Sequence, residues 1–526
     1  MNLPAAIANS LWIGGSLPAL ARFERALRQP AQTQQKLLRA LLARHANCAY
    51  GRAHDFASIR SYEEFARRVP LINYDDLAPW IERLRFGETR VLTSEPVTHL
   101  IPTSGSTGAR KLIPFTAGLQ REFQRAIGPW IADLARRHPG ILFGPAYWSI
   151  TPATQRAERE SSVVPIGFAD DASYLGGVKG WLARAAMVAP NAADRVTDLE
   201  EFRYRTLLCL LLQRDLRLIS IWHPSFLGLL LDALPGQWDK LRAAIQKTQK
   251  RRARELERGD PLRPESLWPQ LELISCWGGA HAELALEDLR RRFPGTHLQP
   301  KGLLATEAFV TIPFQGAHPI AIGSHCYEFI DEAGRARLAH ELREGGTYEV
   351  VVTTGGGLWR YRLGDWVQVN GRVGETPSLR FLGRSGNVSD RFGEKLSEGF
   401  VGGVIREAIA GASSPPRFAM LAPEDGAARR YVLYLEGACQ PQLAARVEEL
   451  LQRNPHYAWC RNLGQLQAVE IFEIRRSGYE TFVAHETERG RRLGEIKASP
   501  LSRETGWSQR FNGSISGGRR LHKREI

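Results

Sequence analysis

The chain has 526 residues, 43% hydrophobic and 24% charged, a globular composition too long for one ordinary hydrophobic core, so two or more domains are expected. No uninterrupted apolar stretch is long enough to span a bilayer, and six dispersed cysteines (Cys48, Cys209, Cys276, Cys326, Cys439, Cys460) lack a C-x-x-C pair, which argues against a disulfide framework or zinc site and for a reducing cytoplasm. The formal charge of +14 raises nucleic-acid binding, but its cluster KTQKRRAR at 247–254 lies in a predicted helix, where a solvated basic face explains it, and no binding module accompanies it.

In chain order, the first ninety residues read as helices. The apolar segment 3–20 has no Lys or Arg ahead of it and is broken by Pro4, Gly14, Gly15 and Pro18, so it reads as the first helix and not as a signal peptide. Leu37, Leu38, Leu41 and Leu42 recur at helical spacing, and Ser61-Tyr62-Glu63-Glu64 has the form of a capping box. From Val97 a β-run (VTHLIPT) leads into a Gly/Ser/Thr loop, followed by a helix over Ala117–Arg137 that Gly128-Pro129 can kink. Phe123, Ile127, Trp130, Ile131 and Leu134 form its apolar stripe, expected to pack in the core. Strand-like runs at 271–276, 297–303 and 347–354 alternate with helices, which implies an α/β domain with a mostly parallel sheet.

After Arg384 the composition changes. SGNVSDRFGEKLS at 385–397 is rich in Gly, Ser and charge, and is followed by a helix (398–409), a strand (431–435), a helix (442–452) and a strand (469–474). We therefore expect a large domain over 1–385, a hinge over 386–396 and a small α+β domain over 397–526. The last residues, from about Asn512, read as frayed.

The loop Thr103-Ser104-Gly105-Ser106-Thr107-Gly108-Ala109-Arg110-Lys111, read as lying between a strand and a helix, suits an anion. Glycines let several N–H groups converge, the hydroxyls add donors, and Lys111 adds a compact positive charge. Neither G-x-x-x-x-G-K-[ST] nor G-x-G-x-x-G is present, which removes the main support for a Walker-type nucleotidase or a dinucleotide site. A Ser/Gly turn capping the next helix accounts for the loop equally well when it is taken alone.

Five stretches in order carry a resemblance: SGSTGARKLIPFT at 104–116, IWHPSFLGLLLDAL at 221–234, KGLLATEAFVTIP at 301–313, YRLGDWVQV at 361–369 and LGEIKASPLSRETGW at 493–507. They resemble the adenylate-forming superfamily and, within it, the Gretchen Hagen (auxin-responsive promoter) family of acyl-acid amido synthetases, with KLIPFT pointing to that branch. The resemblance spans nearly the whole chain. It implies a large N-terminal adenylate-forming domain with mixed and parallel sheets flanked by helices, plus a small mobile α+β C-terminal domain.

It also implies chemistry: ATP- and Mg²⁺-dependent activation of a carboxylic acid as an acyl-adenylate, then transfer to an amine, expected to be an amino acid. By resemblance, Ser104–Lys111 would hold the β- and γ-phosphates, Thr306 would contact the α-phosphate, and Glu307 would bind Mg²⁺, a hard cation suited to carboxylate and phosphate oxygens. Asp365 would accept hydrogen bonds from the ribose hydroxyls at a strand start, with a Gly-Asp turn as the local alternative. Gly278-Gly279-Ala280 resembles the adenine-binding turn, although a plain strand-to-helix turn fits it too. The superfamily usually places an aromatic residue three positions before the Thr, where this chain has Leu303. Arg384 would open the hinge, Lys395 would face the nucleotide, and Lys497 would neutralise the approach of carboxylate to phosphate. Trp222, His223 and Phe226 are candidates for the acid pocket, with core packing as the alternative.

The expected partners are small molecules, with no nucleic acid and no membrane, on a monomer or weak dimer. Three other readings stay open: an acyl-CoA ligase, which shares the first step, a nucleic-acid-binding protein, and an inactive member retained as a binding module.

Overall fold

The computed structural model describes residues 2–103, 111–148, 162–167, 186–188, 199–279, 282–384, 388–410, 412, 416–424, 429–437, 442–489, 496 and 498–516. The chain divides into two compact units. One comprises Met1–Trp222, Leu230–Trp277 and Arg292–Leu382; the other comprises His223–Leu229, Gly278–Arg291 and Gly383–Ile526.

In the first unit, helices open the chain and are followed by a hairpin of β1 (Val97–Thr103) and β2 (Lys111–Thr116). The strands β3 (Ala146–Trp148), β4 (Met187–Val188), β5 (Leu218–Ser220), β6 (Leu273–Trp277) and β7 (His297–Lys301) form a parallel sheet in the order β4-β3-β5-β6-β7. β5 is buried throughout and β6 nearly so, as expected when a parallel sheet carries helices on both faces. A second sheet is built from β8 (Cys326–Ile330), β9 (Ala336–Leu338), β10 (Thr347–Thr353), β11 (Tyr361–Val373) and β12 (Thr376–Arg384), in the order β12-β11-β10-β8-β9. One apolar core runs from Phe23, Leu41 and Trp359 to Val350, Tyr327 and Ile312.

The Ala117–Arg137 helix has the bounds expected from its pattern. Thr116 caps it by accepting the Leu119 N–H at 3.1 Å, and Arg136 and Arg137 sit in its last turn, where cations meet the negative end of the helix dipole. Phe123, Trp130, Ile131 and Leu134 are buried along one face. At 61–64 the capping box is half formed. Ser61 accepts the Glu64 N–H, while the Glu64 carboxylate takes the N–H of Arg60 and not that of Ser61.

In the second unit a four-stranded sheet pairs Phe418–Glu424 antiparallel with Arg430–Glu436, Arg430–Glu436 parallel with Glu470–Ile474, and Glu470–Ile474 antiparallel with Gly513–Ile515. One apolar cluster joins Val401, Val404 and Ile405 to Leu433, Val447 and Leu451. Another joins Leu229 to Met420, Tyr434, Phe482 and Trp507. No helix among the described residues is long and apolar enough to cross a membrane.

Candidate functional site

Thr103 and Lys111 are direct cross-strand partners at the loop end of the β1–β2 hairpin. Ser104, Gly105, Ser106, Thr107 and Gly108 lie outside the described residues. The element after the loop corrects the expectation: KLIPFT is a strand, so the loop joins two antiparallel strands and does not run directly into a helix. Leu112, Ile113 and Phe115 are buried, and Pro114 is accommodated in a two-stranded hairpin where few ladder bonds are required. The Lys111 ammonium lies 5.6 Å from the centroid of the Tyr74 ring, and the Tyr74 hydroxyl accepts the Leu112 N–H at 2.7 Å. Burial pushes the pKa of that hydroxyl upward.

Thr306 and Glu307 form the tip of a tight hairpin. Ala305 N–H donates to the Ala308 carbonyl at 2.9 Å, and Leu304 bridges Phe309 across the turn. The arms are fixed below it, where Leu303 N–H donates to Thr311 Oγ1 at 2.8 Å. Glu307 is only 3% exposed, and its carboxylate meets no hydrogen-bond or ion-pair partner among the described residues. At that low exposure a cation or donor would stabilise the charge. Its charge and hard oxygen donors fit Mg²⁺.

Asp365 lies inside β11 and not at a strand start or in an interstrand turn. The register against β10 slips there, from Trp366 opposite Glu349 to Arg362 opposite Val351. Gly364, at φ +77, occupies this bulge, a conformation that glycine adopts without strain. A bulge bends the strand and re-aims a side chain, and here it sits beside the 6% exposed Asp365.

In the second unit Gly278 and Gly279 directly follow β6, and Ala282 N–H donates to the Gly279 carbonyl at 3.1 Å. Ala280 lies outside the described residues. Arg384 is the last residue of β12. Lys395 is exposed and left-handed, at φ +44, a strained conformation for a side-chain-bearing residue. The preceding Glu394, fully buried, accepts the N–H groups of Arg391 and Phe392 at 2.8 and 2.7 Å and the Tyr431 hydroxyl at 2.5 Å. Burial first, then this bond to Glu394, raises the Tyr431 pKa. Lys497 lies outside the described residues. Its neighbours are anchored: the Tyr479 hydroxyl donates to the Ile496 carbonyl at 3.4 Å, and Ser499 Oγ donates to Glu398 at 2.7 Å.

Of the acid-pocket candidates, Trp222 is 38% exposed, with the Lys301 ammonium 5.2 Å from its ring centroid. His223 and Phe226 are buried, and His223 Nδ1 meets Ser225 Oγ at 2.5 Å. Among the described residues one group of His485, Glu486 and Glu504 brings potential metal donors within 4.8 Å of one another. Arg489 pairs with both of its carboxylates, so a cation already balances their charge.

Glu122 has no place in the sequence expectations. It lies among Gln120, Arg121, Gln124 and Arg125 in a long helix, yet is 1% exposed. Its position beside Phe123 was the available signal, since a carboxylate next to a core aromatic must find partners when it is buried.

Three family models match the chain in order: the GH3 family N-terminal domain over 19–298, the GH3 family central domain over 319–384 and the GH3 family C-terminal domain over 407–506. A probable indole-3-acetic acid-amido synthetase, GH3.12, of Oryza sativa subsp. japonica is 25% identical, across 91% of this chain and 92% of the relative. Among solved structures, GH3.15 acyl acid amido synthetase superposes with a TM-score of 0.80 at 20% identity, over 96% of this chain and 98% of that one. A 2-hydroxyisobutyryl-CoA ligase in its postadenylation state gives a TM-score of 0.53 at 14% identity, over 91% of each chain. These likenesses show a shared α/β fold, and the first family model alone matches more than half of the sequence. The chain belongs to the GH3 family, whose three domain models match it in order between residues 19 and 506.

Proposed function

We propose that the chain is an ATP-dependent ligase that joins a carboxylic acid to an amine, an amino acid in the reading we favour, through an acyl-adenylate. The observation that carries it is the Glu307 carboxylate, buried at a hairpin tip with no partner among the described residues. Bound there, Mg²⁺ would offset phosphate charge in ATP.

In the first step a carboxylate oxygen attacks the α-phosphorus, the bond from that phosphorus to the bridging oxygen breaks, and pyrophosphate leaves with the electron pair. Thr103 and Lys111, with Ser104, Gly105, Ser106, Thr107 and Gly108, hold the β- and γ-phosphates through converging donors and the Lys111 charge. Thr306 donates to the α-phosphate, and Asp365 accepts from the ribose hydroxyls. Gly278, Gly279 and Ala280 allow adenine close to the backbone, with Leu303 as an apolar cover. Lys497 neutralises the two anions as they approach, a role for preorganised charge. Arg384 belongs to the hinge, and Lys395 contacts the nucleotide. In the second step the amine nitrogen attacks the acyl carbon, the carbon–oxygen bond to AMP breaks, and the amine sheds a proton to solvent.

The relatives' names support the amine acceptor, since the rice protein is a probable indole-3-acetic acid-amido synthetase. Cys48, Cys209, Cys326 and Cys460 carry free thiols, which suits a cytoplasmic setting. The test is mass spectrometry of reactions that contain ATP, Mg²⁺, mixed carboxylic acids, mixed amino acids and CoA. Acid–amino acid amides with AMP are expected. Thioesters of CoA without amides would replace this reading with a CoA ligase, and no condensed product would reject both.

A further inference from the structure

Glu122 sits inside the Ala117–Arg137 helix, where a buried carboxylate must be compensated. Both of its oxygens lie 3.0 Å from the Gly355 nitrogen, whose N–H they accept, and Oε2 lies 2.9 Å from His325 Nδ1. The Arg125 guanidinium approaches Oε1 at 3.7 Å. On the far side of the fully buried imidazole, His325 Nε2 accepts the Phe309 N–H at 3.3 Å. That nitrogen therefore carries no hydrogen, and Nδ1–H is the donor to Glu122.

Phe309 is held at every polar point. Its carbonyl accepts the Tyr327 hydroxyl at 2.7 Å, and its ring stacks on Phe123 at 4.7 Å between centroids. It bridges Leu304 across the hairpin that carries Thr306 and Glu307. Gly355, for its part, lies in the turn between β10 and β11 that leads to Asp365, and its carbonyl accepts the Thr116 and Thr93 hydroxyls at 3.1 and 3.4 Å. A Cβ at Gly355 would come within 2.7 Å of Glu122 Oε1, so this approach requires glycine.

We propose that Glu122 and His325 are positioning residues: a single carboxylate, acting through one imidazole, fixes the Thr306–Glu307 hairpin against the turn that leads into the Asp365 strand. This inference rests on the reading above, in which Glu307 serves Mg²⁺ and Asp365 the ribose. The chemistry demands an acceptor-only group at 122. An amide there presents N–H either to the Gly355 N–H or to His325. The second case forces the other imidazole tautomer, which sets an N–H against that of Phe309.

The test is calorimetric binding of ATP, with and without Mg²⁺, to the wild-type chain and to Glu122→Gln, His325→Asn and His325→Gln, together with the melting temperature of each. Asn at 325 keeps a donor near Nδ1 but offers Phe309 no acceptor; Gln places an amide oxygen near the Nε2 position. Glu122→Gln and His325→Asn should weaken binding of ATP with Mg²⁺ by about tenfold or more and metal-free binding, which lacks the Glu307 contribution, by a clearly smaller factor, with partial recovery in His325→Gln, which restores the acceptor for Phe309 but not the donor to Glu122. Equal losses with and without Mg²⁺ would overturn the proposal by making the pair merely structural, as would wild-type affinity in folded variants. A wild-type chain that binds ATP with Mg²⁺ yet releases no pyrophosphate with any acid sinks the ligase reading alone. One that binds no ATP overturns both.

Discussion

Glu307 places a carboxylate where 3% of the residue is exposed, at a two-residue tip whose arms are fixed by backbone bonds. Glu307→Gln keeps the shape and removes the charge. It should raise the Mg²⁺ concentration for half-maximal pyrophosphate release by about tenfold or more and lower kcat/KM by roughly a hundredfold, read from steady-state rates across a Mg²⁺ titration. An unchanged Mg²⁺ dependence would remove Glu307 from the metal. Lys497→Ala is expected to slow adenylation by a hundredfold or more, about 3 kcal/mol of transition-state stabilisation, while ATP binding by calorimetry stays within a few fold. Parallel loss of both would make the lysine a ground-state contact. His45 gives a test in stability. Ser94 N–H donates to its Nδ1 at 3.0 Å, and burial lowers the imidazole pKa from 6.5 to about 4. The folded chain keeps this group neutral, whereas the unfolded chain takes up a proton first as pH falls. The contribution is present above the unfolded value of 6.5 and declines as pH falls towards the folded value of about 4. It amounts to at most about 3 kcal/mol. Urea unfolding at intervals across that window should show a shallower acid slope for His45→Gln than for the wild type, and equal slopes would contradict this assignment.

At the scale of elements, the turn between β10 and β11 is tightly constrained. Gly357 has φ +100, and a Cβ there would lie 2.7 Å from Leu92 Cβ and 3.1 Å from the Leu92 carbonyl oxygen. Gly357→Ala combines left-handed strain with overpacking and should cost about 2–4 kcal/mol in denaturant unfolding; a loss under about 0.5 kcal/mol would show that the turn can shift. Sequence alone displays the Ala117–Arg137 helix well, because Thr116 caps it locally and its stripe has a clear 3.6 period. The strand KLIPFT escapes the same reading. It is six residues long, starts with a lysine and contains a proline, and its status comes from pairing with Val97–Thr103. Asp365 is similar: Gly364 beside it reads as a turn signal, and only the register against β10 reveals a bulge. Glu122 is the least legible, since its partners Gly355 and His325 are more than two hundred residues away in sequence.

For the whole molecule, the order of motifs across the chain carries more than any one of them, because a Gly/Ser/Thr loop alone specifies no more than an anion. The family and its α/β fold were therefore legible in the sequence, through residues spread from Ser104 to Trp507. Local composition changes near Arg384, and compact packing puts a division at Leu382–Gly383. That packing also assigns His223–Leu229 and Gly278–Arg291 to the second unit, which no local pattern displays; Leu229, for example, belongs to the core around Met420 and Trp507. The central claim is that this chain breaks ATP at the α-phosphorus by means of a carboxylic acid. Exchange of labelled pyrophosphate into ATP, across a panel of acids and in the absence of any amine, measures that step in isolation. Exchange that requires both an acid and Mg²⁺, and that falls by about a hundredfold or more in Lys497→Ala, is the predicted result. Exchange independent of acid, or none with any acid while ATP still binds, would contradict the account.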